Sequence, residues 1–283
     1  MSRLFVLAIV ALLLWSSMSV SAHMNERPVA IKLGFVPPVD ALKMLPREHH
    51  ATMGASLSLK VLFYFGSLVE EWKNQVMLQP EYQQMFHTLE TATQLDPYNA
   101  DPYYFANAIF TWDAGRVQEV NQLLVYGMDF RTWDAMLPFF AGFNEAYFLK
   151  NYEKASRYMA QAAEKSGNAG MARLASRYFY EAGELTLAIE FLSQMEHLAP
   201  SAGEAELYRL RKEALHAVAM IQQALADYRA RFGQIPESLD ELVRDGQLSQ
   251  LPIDPYGGQF FVDSEGQVRS TSKFALPRPT KKN

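Results

Sequence analysis

The 283-residue chain is 49% hydrophobic and 20% charged, which is enough apolar content to bury a core and too much for an intrinsically disordered polymer. A net charge of −5 argues against a surface built to grip nucleic-acid phosphates. The lack of cysteine excludes disulfide frameworks, thiolate metal sites, cysteine nucleophiles and lipid attachment through an N-terminal cysteine.

Arg3 precedes an apolar run from Leu4 to Trp15, and small and polar residues follow from Ser16 to Ala22. A charged start, an apolar stretch and a small-x-small exit describe a secretory signal peptide, and Val20-Ser21-Ala22 predicts cleavage before His23. The alternative is an uncleaved anchor over Leu4–Val20, at the lower length limit for a spanning helix and weakened by Ser16, Ser17 and Ser19. Residues 1–22 are read as a signal peptide or membrane anchor, a possible single tether, with the rest of the chain outside the cytoplasm. Pro28, Pro37, Pro38 and Pro46 interrupt residues 23–56, which predicts an extended lead-in with little regular structure.

Residues 57–200 carry an internal repeat. Ala155, Met159 and Ala162 are echoed by Ala188, Leu192 and Met195, with Gly183 five residues before Ala188 and Pro200 five residues after Met195. The same frame runs backwards through Gly115, Val120 and Leu124 to Met85, Leu89, Ala92 and Pro97, with periods of 35, 35 and 33 residues. This pattern resembles the tetratricopeptide repeat, a pair of antiparallel helices about 34 residues long in which small residues stand where the helices cross closely. Val120, Gly127 and Met85 depart from it, standing where Ala is usual. The first copy takes its first helix from Leu57 to Leu78, before Pro80. The resemblance implies a mostly α fold: a helical-hairpin solenoid of three to four repeats.

Ser201, with Glu204 three residues later, predicts a capped helix start. Leu207, Leu210, Ala214, Val218, Ile221, Leu225, Tyr228 and Phe232 then form one continuous helical stripe, ended by Gly233, with Arg209, Arg211, Lys212 and Glu213 on the polar face. This predicts a long capping helix over 201–233. A short helix follows from Pro236 or Ser238, with Leu239, Leu242 and Val243 facing one way. Gln259–Asp263 and Gln267–Ser272 flank the turn Ser264-Glu265-Gly266 as a β-hairpin, making 234–275 a small α+β module. The Pro- and Lys-rich residues 276–283 are expected to be disordered. Tyr228-x4-Gly233-x2-Pro236-x2-Leu239-x2-Leu242, followed by Leu251-Pro-x-Asp254-Pro-x-Gly257, resembles the globular part of type II secretion pseudopilins. True pseudopilins begin with their own membrane helix, whereas here the preceding helix is amphipathic and attached to the repeats. The whole arrangement resembles exported bacterial tetratricopeptide proteins with such a C-terminal end, which implies a place in the periplasm or cell envelope and a setting in pilus or secretion machinery.

A search for chemistry finds little. None of the six histidines, at 23, 49, 50, 87, 197 and 216, forms a His-x3-His pattern, and there is no Gly-rich phosphate loop and no G-x-S-x-G elbow. His49 and His50 beside Glu48 offer metal ligands in principle, although consecutive side chains diverge and a solvated loop pair is the plainer reading. Glu70-Glu71 and Asp240-Glu241 read as solvated charge. Because some major pseudopilins bind calcium near this end, Asp254, Asp263 and Glu265 are weighed against ordinary roles as a turn cap and a hairpin tip. No catalytic residue, cofactor or metal is assigned. A binding groove is better supported: the repeat frame places Phe105, Ile109, Trp112, Phe140, Asn144, Tyr147, Arg173, Arg177 and Tyr180 on the concave face. Asn144 falls where an amide clamps an extended peptide backbone in related repeats, and the opposing reading makes these rings internal packing. The function expected is a non-enzymatic adaptor or scaffold that binds another envelope protein or peptide segment. A metal-dependent envelope enzyme and a structural subunit assembling through the C-terminal module are the alternatives.

Overall fold

Helix periodicity and helix punctuation account for most of the structure. The computed structural model describes residues 12–19, 32–73 and 80–274. The proposed cleavage site, the start of the lead-in and the 276–283 tail lie outside these. Residues 12–19 are helical, and among the described residues no helix is long and apolar enough to cross a membrane. The described chain is mostly helical with one small antiparallel sheet, and falls into two compact units, residues 1–102 and 103–283.

In the first unit, residues 32–38 have no regular structure, and α1 (Val39–Leu42) and a 3-10 turn (Arg47–His49) lead into α2 (His50–Lys73) and α3 (Tyr82–Leu95). The long helix therefore begins at His50, directly after the Pro46 turn, and not at Leu57. The lead-in is anchored: Leu33 and Val36 are buried, and the Leu33 amide donates to the Glu81 carboxylate at 3.1 Å. Gly54 near the start of α2 meets the end of α3, where a Cβ would stand 3.0 Å from the Ala92 carbonyl, so the helices run antiparallel and cross closely. Val36, Leu42, Leu57, Ala92 and Leu95 form the core between them.

From α4 (Asp101–Phe110), all but two residues of which belong to the second unit, α5 (Val117–Phe130), α6 (Met136–Tyr147), α7 (Tyr152–Ser166), α8 (Ala169–Glu181), α9 (Leu185–His197) and α10 (Ala202–Phe232) follow one another with short turns. From α5 onward each helix packs on the next. Asn151, Asn168 and Ser201 cap α7, α8 and α10 by accepting backbone amides, and Gly167 and Gly233 end α7 and α10 in the left-handed region. Gly127 on α5 allows the closest approach. A Cβ there would lie 2.7 Å from the Tyr103 ring and 3.0 Å from Leu137. Gly142 on α6 plays the same part against the Ala155 carbonyl on α7. The periodic positions Val120, Leu124, Ala155, Met159, Ala188 and Leu192 are all fully buried.

The long helix buries Tyr208, Arg211, Ala214, Leu215, Val218, Ile221 and Tyr228, while Phe232 is exposed. Arg211, expected on the polar face, is thus inside. The buried stripe sits one position C-terminal to the expected one at its start, since Tyr208 is buried in the core and Leu207 only half-buried. α11 (Asp240–Arg244) buries Leu242. β1 (Phe260–Val262) and β2 (Val268–Ser270) pair as an antiparallel hairpin with Phe261 opposite Arg269. Leu242 and Val268 belong to the same core as Met159, Leu192, Tyr208 and Ile221.

Candidate functional site

The residues expected in one groove separate into three environments. Asn144 is only 1% exposed. Both of its amide protons are used, donated to Oδ1 of Asn107 and Oδ1 of Asn121 at 2.9 Å each, and Asn121 passes its own amide to Glu145 at 3.1 Å. This polar ladder ties α4, α5 and α6 together from the inside. The expected solvent-facing peptide clamp at Asn144 is therefore incorrect: the residue lies at a helix junction whose buried polar atoms must satisfy one another.

Trp112 and Tyr147 do come together, at 56% and 52% exposure, with ring centroids 5.7 Å apart. Phe143 stacks on Tyr147 at 5.3 Å, Phe148 stands edge-on to Trp112 and Tyr147 at 4.8 Å each, and the Lys150 ammonium lies 5.4 Å from the Tyr147 ring. The result is an exposed aromatic surface with a cationic neighbour. Phe105 and Ile109 are half-buried on α4. Phe140, also half-buried, packs edge-on to Tyr104, whose hydroxyl donates to the Asp134 carboxylate.

Arg173 and Arg177 are exposed on α8, but Tyr180 is covered by the chain's own C-terminal end. Its hydroxyl donates to the Val268 carbonyl of β2, Phe274 stands edge-on to it at 5.5 Å, and the Arg269 guanidinium lies 5.2 Å from its ring. Burial raises the Tyr180 pKa, against the opposing pull of Arg269. Arg269 donates to Glu181 at 2.8 Å and to Asp263 at 2.9 Å, locking the hairpin onto α8. A cavity of about 460 Å³ remains beside this lock, lined by Arg177, Arg211, Arg269 and Lys273 among others. The sequence reading places Arg211 on the polar face and does not single out Arg269 or Phe274. A signal for Arg211 existed: Tyr208, Arg211, Leu215 and Val218 recur at helical spacing, a register of the stripe that includes the cation.

The carboxylates weighed for calcium are engaged by their own chain. Asp254 is 2% exposed and accepts both the Ser270 and Ser272 hydroxyls and, at 2.9 Å, the Tyr256 amide. Gly258 makes room for that cradle, since a Cβ there would lie 2.6 Å from the Asp254 carboxylate. Asp263 accepts from Arg269 and from the amides of Gln267 and Glu265, and the Arg269 hydrogen bond holds its pKa below the ordinary aspartate range. Glu265 is exposed at the hairpin tip. The His50 ring is within 3.0 Å of the Leu45 carbonyl, and among the described residues no three His, Asp or Glu side chains converge to hold a metal ion.

A second cleft, of about 830 Å³, runs along β1 and is lined by Ile221, Ile235, Leu239, Leu251 and Phe260 among others, with no β2 residue in its wall. The hairpin bonds at Gln259–Thr271 and Asp263–Gln267 fix the alternation of the ladder, so the N–H and C=O groups of Phe260 and Val262 point away from β2. No protein-family model matches the chain, and no curated protein matches it.

Proposed function

We propose that this chain is an exported, tetratricopeptide-like adaptor of the bacterial cell envelope that binds another protein without catalysing a reaction. The observation that carries the reading is the pair of exposed rings Trp112 and Tyr147, backed by the half-buried Phe143 and Phe148, beside Lys150. Large rings held against one another lose little side-chain freedom on binding, and such residues dominate protein-recognition energetics. The succession α4 to α9, with Val120, Ala155 and Ala188 buried at the expected period, supports the repeat reading. The charged start, apolar run and Val20-Ser21-Ala22 exit support export, with His23 as first residue of the mature chain. The likeness of 228–257 to pseudopilins favours pilus or secretion machinery as the setting.

Site-specific photo-crosslinking in intact cells tests this. A crosslinker placed at Tyr147 is expected to trap one discrete protein in the periplasm, and Trp112→Ala is expected to abolish that product without changing thermal stability. A Tyr147 probe that traps nothing, or no more than one at exposed Glu213, overturns the reading. The outer edge of β1, which no strand pairs among the described residues, favours one further reading, a subunit that assembles by strand pairing through its C-terminal end. Light scattering that shows a monomer at high concentration rejects it.

A further inference from the structure

Arg211 is buried in a way that proteins rarely leave uncompensated. The residue is 6% exposed on α10, and among the described residues no carboxylate pairs with it. One terminal nitrogen donates to the Phe274 carbonyl at 3.3 Å, the guanidinium stacks 4.7 Å from the Phe274 ring, and Nε has no acceptor at all. Taking a guanidinium out of water is costly unless an anion or several acceptors replace the hydration, and here one carbonyl, the Tyr256 hydroxyl and a ring do so only in part, with no anion among them. Burial accordingly lowers the Arg211 pKa, against the opposing pull of the Tyr256 hydroxyl to which it is hydrogen-bonded.

The same guanidinium lines the cavity of about 460 Å³ between α8, α10 and the hairpin. Four cations border that space, Arg177, Arg211, Arg269 and Lys273, against one carboxylate, Glu181. Arg269 is already spent on Glu181 and Asp263. The exposed Arg177 shares Glu181 at 3.9 Å, so the excess of positive charge rests on Arg211 inside and on the exposed Lys273 at the opening, with Arg177 beside it. A planar fork of donors whose hydration is only partly replaced suits an oxyanion, and the volume fits a small group of that kind.

We propose that this cavity binds an oxyanion, a phosphate or carboxylate group seated on Arg211, with Arg177 and Lys273 as its cationic rim. The site is independent of the aromatic surface at the C-terminal ends of α4 and α6 and needs no protein partner.

The test uses the full chain, with sodium chloride exchanged at constant ionic strength for sodium phosphate in one arm and sodium succinate in the other. At least one of the two anions is expected to raise the melting temperature above that in chloride, and calorimetric titration of that anion is expected to show one site. Phosphate alone identifies a phosphoryl ligand, succinate alone a carboxylate ligand, and either supports the proposal. Arg211→Met keeps the stem and removes the charge, and is expected to weaken binding at least tenfold. Arg177→Ala combined with Lys273→Ala alters only exposed side chains, and is expected to weaken binding several-fold should the Arg211 variant fail to fold. Identical melting in all three salts overturns the proposal, as does binding unchanged in these variants.

Discussion

Asn144 shows how a single side chain changes meaning with its surroundings. On an open helix face its amide would be free for a peptide backbone. In the interior it supplies the two protons that Asn107 and Asn121 accept. Asn144→Ala would leave the Asn121 oxygen without its donor and Asn107 with only the 3.5 Å contact from the Thr111 hydroxyl, and each buried polar group left unpaired costs about 1–3 kcal/mol. Urea denaturation of this variant is expected to show a loss of roughly 2–4 kcal/mol, well beyond the effect of most surface substitutions. Stability within 0.5 kcal/mol or so of the parent chain would mean that Asn144 is not buried in this ladder. Asn121 stands between the two ends of the network, receiving from Asn144 and donating to Glu145. Its position on α5 makes the ladder a junction of three helices instead of a contact between two.

At the scale of elements, the hairpin is tied to the helices by charge as well as by apolar contact. Arg269 reaches Glu181 on α8 and Asp263 on its own turn, while the Asp263 carboxylate also receives the Glu265 and Gln267 amides at 2.9 Å each. These donors favour the ionised form, chiefly the Arg269 hydrogen bond, so the folded-state pKa lies below the ordinary aspartate value of about 3.9. A depressed carboxylate pKa contributes stability that is fully present above the unfolded value and is lost as pH falls through the folded one. The amide proton resonances of Glu265 and Gln267 are expected to stay constant from neutral pH to about 4 and to titrate together below it; a midpoint at or above the ordinary value refutes the cradle. Helices, turns and this hairpin were legible beforehand because their signals are local: the apolar period of α5 to α10, the left-handed glycines Gly115 and Gly183, and the Ser264-Glu265-Gly266 turn. The placement of the hairpin over Tyr180 was not, because a contact spanning 88 residues leaves no periodic trace in the sequence. The burial of Arg211 was hidden for a related reason: a lone arginine beside an apolar stripe reads as solvated until the packing of α10 is known.

At the scale of the molecule, the distinction expected from the sequence between repeats, capping helix and C-terminal module dissolves, from α7 onward, into one core. Met159 on α7, Leu192 on α9, Tyr208 and Ile221 on α10, Leu242 on α11 and Val268 on β2 belong to a single buried cluster. The long helix mediates this, since one of its faces packs on α9 while α11 and β2 rest on it further along. A module that shares its apolar side chains with its neighbours cannot open without exposing them, so its stability is coupled to theirs. Leu242 tests the coupling because it is fully buried and lies far from α9 in sequence. Leu242→Ala removes the transfer free energy of the deleted carbons and leaves a cavity, a cost of about 2–5 kcal/mol. If the core is one cooperative unit, the slowest-exchanging backbone amides of α9 should lose as much protection against hydrogen exchange as those of β2. An autonomous C-terminal module predicts the opposite, a loss confined to residues beyond Gly233 with the α9 amides unchanged. The shared burial of Leu192, Ile221, Leu242 and Val268 favours the cooperative outcome, in which the hairpin that covers Tyr180 is as permanent as the helices beneath it.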